Sequence, residues 1–226
     1  MINKIVPSMA DAVAGVKDGM TILLGGFGSV GQPNHLVQGV IDLGVKDLVV
    51  VANNAGGGHA GLALMMELGR VRKIICTFPR SANSTIFEEL YRAGKIELEI
   101  VPQGTMAERI RAAGAGIGGF YTATGVGTKM AEGKEVREID GRMMVLEKAL
   151  HAEVALVEAW EADRWGNLTF RKSGRNFNPI MATAADLTIV QSQHIVELGA
   201  IPPEHVMTPG IFVDRVVHVP YGDPAF

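Results

Sequence analysis

A single cysteine, Cys76, among 226 residues leaves no disulfide possible within the chain. That scarcity suits a reducing compartment better than secretion, and the cytoplasm is the expected location. No apolar run reaches the ~18 residues that a membrane span needs. The opening Met1–Val13 has no basic region followed by an apolar stretch of leader length. Positive charge is not in excess either: 21 Lys and Arg against 24 Asp and Glu give a net charge of −3. A nucleic-acid binder usually carries a basic stripe, so neither nucleic acid nor a membrane is an expected partner. His35 and His59 each lack a second histidine or acid at ligand spacing, and no metal is expected.

What the chain has in plenty is apolar residues, at 47%, and glycine, at 28 positions. At this length the apolar content fills the core of one domain over 1–226. No repeat or linker interrupts it.

The first half alternates helix and strand. Ser8 and Asp11 have the spacing of a capping box, opening a short helix that stops at Gly19. Met20–Leu24 reads as a buried strand, and Pro33 marks a helix start. Leu36, Val37, Val40 and Ile41 give that helix one apolar face, closed at Gly44. Leu48–Val51 and Lys73–Cys76 are further buried strands, with Leu62–Leu68 helical between them. A helix carrying Ile86, Leu90 and Tyr91 ends near Gly94, and Ile96–Val101 follows as a strand. In the second half, Val136–Ile139 and Met143–Leu146 flank Asp140-Gly141 as a β-hairpin. Val154–Val157 and Leu187–Val190 are strands and 180–185 is helical. A turn at Asp163–Asn167 leads into a strand ending near Phe170, and 218–226 reads as a loose tail. The expected fold class is α/β: a mostly parallel sheet flanked by helices, with β-hairpin additions.

Gly26-Phe27-Gly28-Ser29-Val30-Gly31 matches G-x-G-x-x-G between a strand and a helix. A dinucleotide site also wants an acid at the end of the second strand, and that strand ends in Ala52-Asn53-Asn54. No Lys-Ser or Lys-Thr follows the loop, so it is not a Walker loop. The plain alternative is a tight strand-to-helix turn.

A longer pattern separates these readings. Asp18-Gly19, then Ile22-Leu23-Leu24-Gly25-Gly26-Phe27, then Gly31 and Pro33 resemble the motif of family I coenzyme A transferases, every fixed position being filled. Val101-Pro102-Gln103-Gly104-Thr105, Gly166-Asn167-Leu168-Thr169 and Arg175-Asn176-Phe177-Asn178-Pro179 look like further blocks of that family. The resemblance implies the fold shared with some sugar-phosphate isomerases. It also implies a first, or alpha, subunit that is active only with a beta subunit, as a heterodimer or heterotetramer. The family's nucleophile is a glutamate in a Ser-Glu-Asn-Gly segment of the second subunit, and this chain has no such segment. No permanent cofactor is implied; coenzyme A and succinyl-CoA are substrates.

By the same resemblance, Gly25, Gly26, Phe27, Gly28, Ser29, Val30 and Gly31 contact coenzyme A, with Asn53 and Asn54 nearby. Gln103 resembles the glutamine that stabilises the thioester oxyanion; otherwise it is a helix-capping or loop residue. Phe78-Pro79-Arg80 resembles the branch acting on 3-oxoadipate, with Arg80 clamping the distal carboxylate of that small acid. Against this stands Arg80 as a surface ion pair. Acetoacetate or a short fatty acid is the alternative acceptor, and a sugar-phosphate isomerase or a non-catalytic acyl-CoA sensor is the alternative function. Cys76 reads as core, and Trp160 and Trp165 as core or interface anchors.

Overall fold

The computed structural model describes residues 2–80 and 83–222. Its strands are β1 (Ile5–Val6), β2 (Thr21–Leu24), β3 (Leu48–Asn54), β4 (Val71–Phe78), β5 (Glu97–Ile100), β6 (Gly119–Thr122), β7 (Val136–Ile139), β8 (Arg142–Lys148), β9 (Ala152–Ala162), β10 (Leu168–Thr169), β11 (Ala185–Ile195) and β12 (Arg215–His218). The α-helices are α1 (Met9–Val13), α2 (Asn34–Asp42), α3 (Gly61–Glu67), α4 (Ile86–Arg92), α5 (Gln103–Gly114) and α6 (Asn178–Ala182).

One nine-stranded sheet runs β1-β12-β11-β9-β2-β3-β4-β5, with β10 paired to β9. Every pairing is parallel except β10 with β9. Strands buried on both faces read as continuous apolar runs, as Leu48–Val51 does, because helices cover each side. Leu24, Val50 and Ile74 pack against α1 to α4 on one face, with Val13, Leu36, Leu62 and Phe87. Leu23, Val51 and Ile75 pack on the other face against α5 and α6, with Met106, Ile110 and Met181. The chain leaves β2 towards β3 on one side and returns to β9 on the other. Strand order therefore reverses at β2, and ligands of such sheets bind in the crevice at the carboxyl ends of the strands there.

The α/β reading holds. The expected hairpin is β7–β8, turned through Asp140 (φ 50°) and Gly141 (φ 72°), and it joins β6 in a separate three-stranded sheet. Ser8 caps α1 as expected, its hydroxyl accepting from Asp11 N–H.

Several boundaries differ. Helix α1 ends at Val13, well before Gly19, because Gly15 takes φ 92° and turns the chain out. Pro33 is the N-cap and not the first helical residue. Helix α6 closes at Ala182, where the Thr183 hydroxyl donates to Ile180 C=O, so Ala185 begins β11. His218 ends β12 and is not tail, since β12 lies inside the sheet between β1 and β11. The last tail residues, 223–226, lie outside those described.

Candidate active site

The loop after β2 sits at the switch point. Gly25 N–H donates to Leu156 C=O at 3.0 Å, which ties the loop's first residue to β9. Phe27 and Val30 exchange backbone bonds at 3.0 and 3.1 Å, forming a tight turn with Gly28 at φ 60°. Gly26 N–H donates to Asn176 Oδ1 at 3.1 Å. Among the described residues, the N–H groups of Gly28, Ser29 and Gly31 have no hydrogen-bond acceptor. These three are therefore the loop donors open to a ligand, fewer than the run Gly25–Gly31 suggests.

The start of α2 is not open in this way. Gln191 Oε1 accepts from the N–H groups of both His35 and Leu36, each at 3.1 Å. A side chain from β11 thus occupies the position at which an anion would meet the helix terminus.

Adjacent strand residues point to opposite faces, and that separates the two asparagines. Asn54 faces a cleft of about 460 Å³ shared with Gly28, Ser29, Asn34 and Gly56–Gly58. Asn53 points the other way, is buried, and accepts a 3.0 Å hydrogen bond from Gln103 Nε2. Gln103 is the first residue of α5 and is itself exposed. The bond fixes which end of the Gln103 amide is the donor, and the second N–H on Nε2 remains for another acceptor.

Arg80 follows β4, and its Nε donates to Glu88 Oε1 at 3.1 Å; Glu88 also pairs with Arg92 at 3.2 Å. The Arg80 side chain is 70% exposed, and it does not line the cleft that Gly28, Ser29 and Asn54 share. His59 pairs with Glu67 at 3.1 Å on the surface. Among the described residues, no group of three or more His, Cys, Asp or Glu is placed to hold a metal. Cys76 is buried in β4, and desolvation pushes its thiol up to about 12, against a smaller lowering by the Phe78 N–H. Trp160 lies under Arg171, 4.9 Å from its ring centroid, and meets His194 edge-on at 4.3 Å; Trp165 is exposed.

Two features escape sequence reasoning. Glu158, on β9, lines two clefts, one shared with Gly31 and one with Gln32, and burial raises its pKa against a hydrogen bond from Gln193. Asn176 and Asn178 reach the glycine loop across 146 to 150 residues of chain. Nothing in periodicity reports a contact of that range; only the block Arg175–Pro179 points to the segment.

Fold and site together define an α/β enzyme chain with a ligand crevice at the sheet's switch point, furnished with backbone and amide donors. The family described as Coenzyme A transferase matches residues 6–219. The chain is 60% identical over 219 residues to a 3-oxoadipate CoA-transferase subunit from Pseudomonas putida, covering 97% of this chain and 95% of that one. It is 45% identical to the mitochondrial succinyl-CoA:3-ketoacid coenzyme A transferase 2 of Homo sapiens, covering 92% of this chain and 43% of that protein. The same fold is found in glutaconate coenzyme A-transferase from Acidaminococcus fermentans, with TM-score 0.85 and 24% identity over 97% of this chain and 76% of that one. The chain belongs to the coenzyme A transferase family, and coenzyme A transfer is the activity it serves as a subunit of a complex.

Proposed function

We propose that this chain is the coenzyme A-binding subunit of an enzyme that moves coenzyme A from succinyl-CoA to 3-oxoadipate, with the nucleophilic glutamate on a partner subunit. The observation that carries this reading is the crevice itself. The described residues lining the cleft between the glycine loop and Gly56–Gly58 are neutral, with amides, a hydroxyl and backbone donors but no carboxylate. On the opposite face of β3 from Asn54, Asn53 holds the Gln103 amide in one orientation. Such a half-site stabilises an oxyanion and leaves the attacking group to another chain. The acceptor follows the Pseudomonas putida relative, at 60% identity. A probable succinyl-CoA:3-ketoacid coenzyme A transferase subunit from Bacillus subtilis stands at 49%.

In this reaction the partner's carboxylate attacks the thioester carbonyl and forms an acyl anhydride, releasing the coenzyme A thiolate. The thiolate attacks the glutamyl carbonyl, giving an enzyme thioester and free succinate. The acceptor carboxylate then repeats the two steps in reverse. Gln103 Nε2 donates to the carbonyl oxygen as its charge develops. Gly28 and Ser29 hold the thioester arm in the cleft that Asn54 also lines, and Gly31 adds its N–H from the adjoining cleft. The assembly is a heterodimer or a dimer of heterodimers, and a reducing compartment, the cytoplasm, is where we place it.

Arg80 is proposed to grip the acceptor's distal carboxylate through its Nη groups while Glu88 holds Nε. Arg80→Ala should raise the apparent KM for 3-oxoadipate roughly tenfold or more, the worth of a charged hydrogen bond, and leave the KM for succinyl-CoA unchanged. An unchanged acceptor KM returns Arg80 to a surface ion pair.

The deciding assay follows CoA thioesters by chromatography, with the chain alone and then with its co-expressed partner, offering 3-oxoadipate and acetoacetate in turn. Activity that needs the partner and is faster on 3-oxoadipate is the expected result. Preference for acetoacetate would reject the acceptor, and turnover by the single chain would reject the split site.

A further inference from the structure

The glycine loop does not hold its own shape. Among the described residues, the bonds it makes within itself are the Phe27–Val30 pair and, from Gln32, a side-chain bond to Gly28 C=O. Its remaining backbone bonds come from outside: Leu156 C=O takes Gly25 N–H, and Asn176, just before α6, and Asn178, the first residue of α6, engage Gly26 N–H, Val30 C=O and Gly31 C=O. Asn176 Oδ1 accepts from Gly26 N–H at 3.1 Å, and Asn176 Nδ2 donates to Val30 C=O at 3.1 Å, so one amide closes both arms of the turn. Asn178, fully buried, accepts from Glu158 N–H at 3.0 Å and donates to Gly31 C=O and Gly174 C=O, both at 2.9 Å. Asn176 takes φ 22° and ψ −121°, a conformation in which an ordinary side chain is strained.

We infer that Asn176 and Asn178 are positioning residues: they clamp the glycine loop so that the N–H groups of Gly28, Ser29 and Gly31 face the acyl-CoA. The inference rests on the proposed contact between that loop and coenzyme A. With Gly26 N–H and Val30 C=O both engaged by Asn176, the turn's two arms are fixed and its tip is the part left to bind. Removing the clamp lets the loop populate other shapes. The apparent affinity for the thioester then falls by the fraction of molecules still in the binding shape.

The test uses the complex with its partner subunit. Asn176→Gly keeps the backbone free to adopt φ 22° while deleting the amide, which separates the clamp from the strain. Asn176→Asp keeps an acceptor for Gly26 N–H but loses the donor to Val30 C=O. Amide hydrogen exchange over 25–31 is read beside the KM for succinyl-CoA, the KM for the acceptor acid and kcat. For Asn176→Gly, exchange and the KM for succinyl-CoA should each rise about tenfold, with the acceptor KM and kcat changing much less. Asn176→Asp should restore protection at Gly26 in part. Exchange unchanged from wild type would overturn the clamp, and this arm needs no turnover, so it decides whichever acid the enzyme accepts. Faster exchange with an unchanged KM for succinyl-CoA would also overturn the proposal. That outcome removes the loop from coenzyme A binding while wild-type turnover in the same assay still reports on the transferase reading.

Discussion

Gln103→Ala in the complex with the partner subunit should lower kcat by roughly a hundredfold or more, which is what one preorganised oxyanion donor is worth. The effect should fall on kcat and on kcat/KM for both half-reactions, because each passes through a tetrahedral intermediate at the carbonyl of a CoA thioester. The KM for the acyl-CoA should barely move, since a donor aimed at developing charge does little for the ground state. Asn53 refines the test. Its Oδ1 holds Gln103 Nε2 at 3.0 Å, so Asn53→Ala leaves the donor present but free to rotate. The loss there should be smaller, about tenfold, as expected for misorientation of a group that still exists. Steady-state kinetics of the two variants and the double variant make the check. If Gln103→Ala and the double variant fall equally far, Asn53 acts through Gln103. An unchanged kcat in Gln103→Ala returns that residue to the role of a helix-start residue at the edge of the sheet.

How much of the structure is legible in advance follows the range of each contact. Strands such as β3 and β9 announce themselves as apolar runs because both faces are covered. The hairpin β7–β8 is written locally in Asp140-Gly141, the two residues that must take positive φ. Strands β1 and β12 escape because each is short and is held by its neighbours: Ile5 and Val6 pair with Val216 and Val217, on the opposite end of the chain. The glycine loop is contiguous and so readable as a motif, but its meaning is not. Which N–H groups remain open depends on Leu156, Asn176 and Gln191, and no local pattern carries those partners. The pairing of Asn53 with Gln103 spans 50 residues; family resemblance singles out each residue, and only the fold joins them. Helix α5 itself is weakly marked, since it opens Gln103-Gly104-Thr105 without a side-chain cap and its apolar face is narrow.

The glycines of the loop are not equivalent, and the contrast between Gly25 and Gly28 yields a second large effect. A Cβ on Gly25 would lie 1.9 Å from Asn178 Oδ1 and 3.3 Å from Leu156 C=O. Neither neighbour can give way cheaply: Asn178 is fully buried and bonded on both ends of its amide, and Leu156 C=O belongs to β9. Gly25→Ala must therefore displace the Asn178 amide and leave Glu158 N–H or Gly31 C=O without its partner. Overpacking together with an unmatched buried polar group should cost about 2–5 kcal/mol. For a chain of this size that lowers Tm by roughly 5–15 °C. Gly28 is the opposite case: nothing lies within 4 Å of its Cβ position, and only its φ of 60° opposes substitution. Gly28→Ala should cost about 1 kcal/mol or little more, yet it places a methyl group where the thioester arm is proposed to lie and should raise the KM for succinyl-CoA. Thermal unfolding and the two KM values separate the roles. The attribution to Asn178 has its own check, because Asn178→Ser should recover part of the stability lost in Gly25→Ala while costing stability in the wild-type background. That sign reversal is the mark of two residues in contact. Strictly additive losses would mean that Gly25 is required for some reason other than the asparagine packed against it.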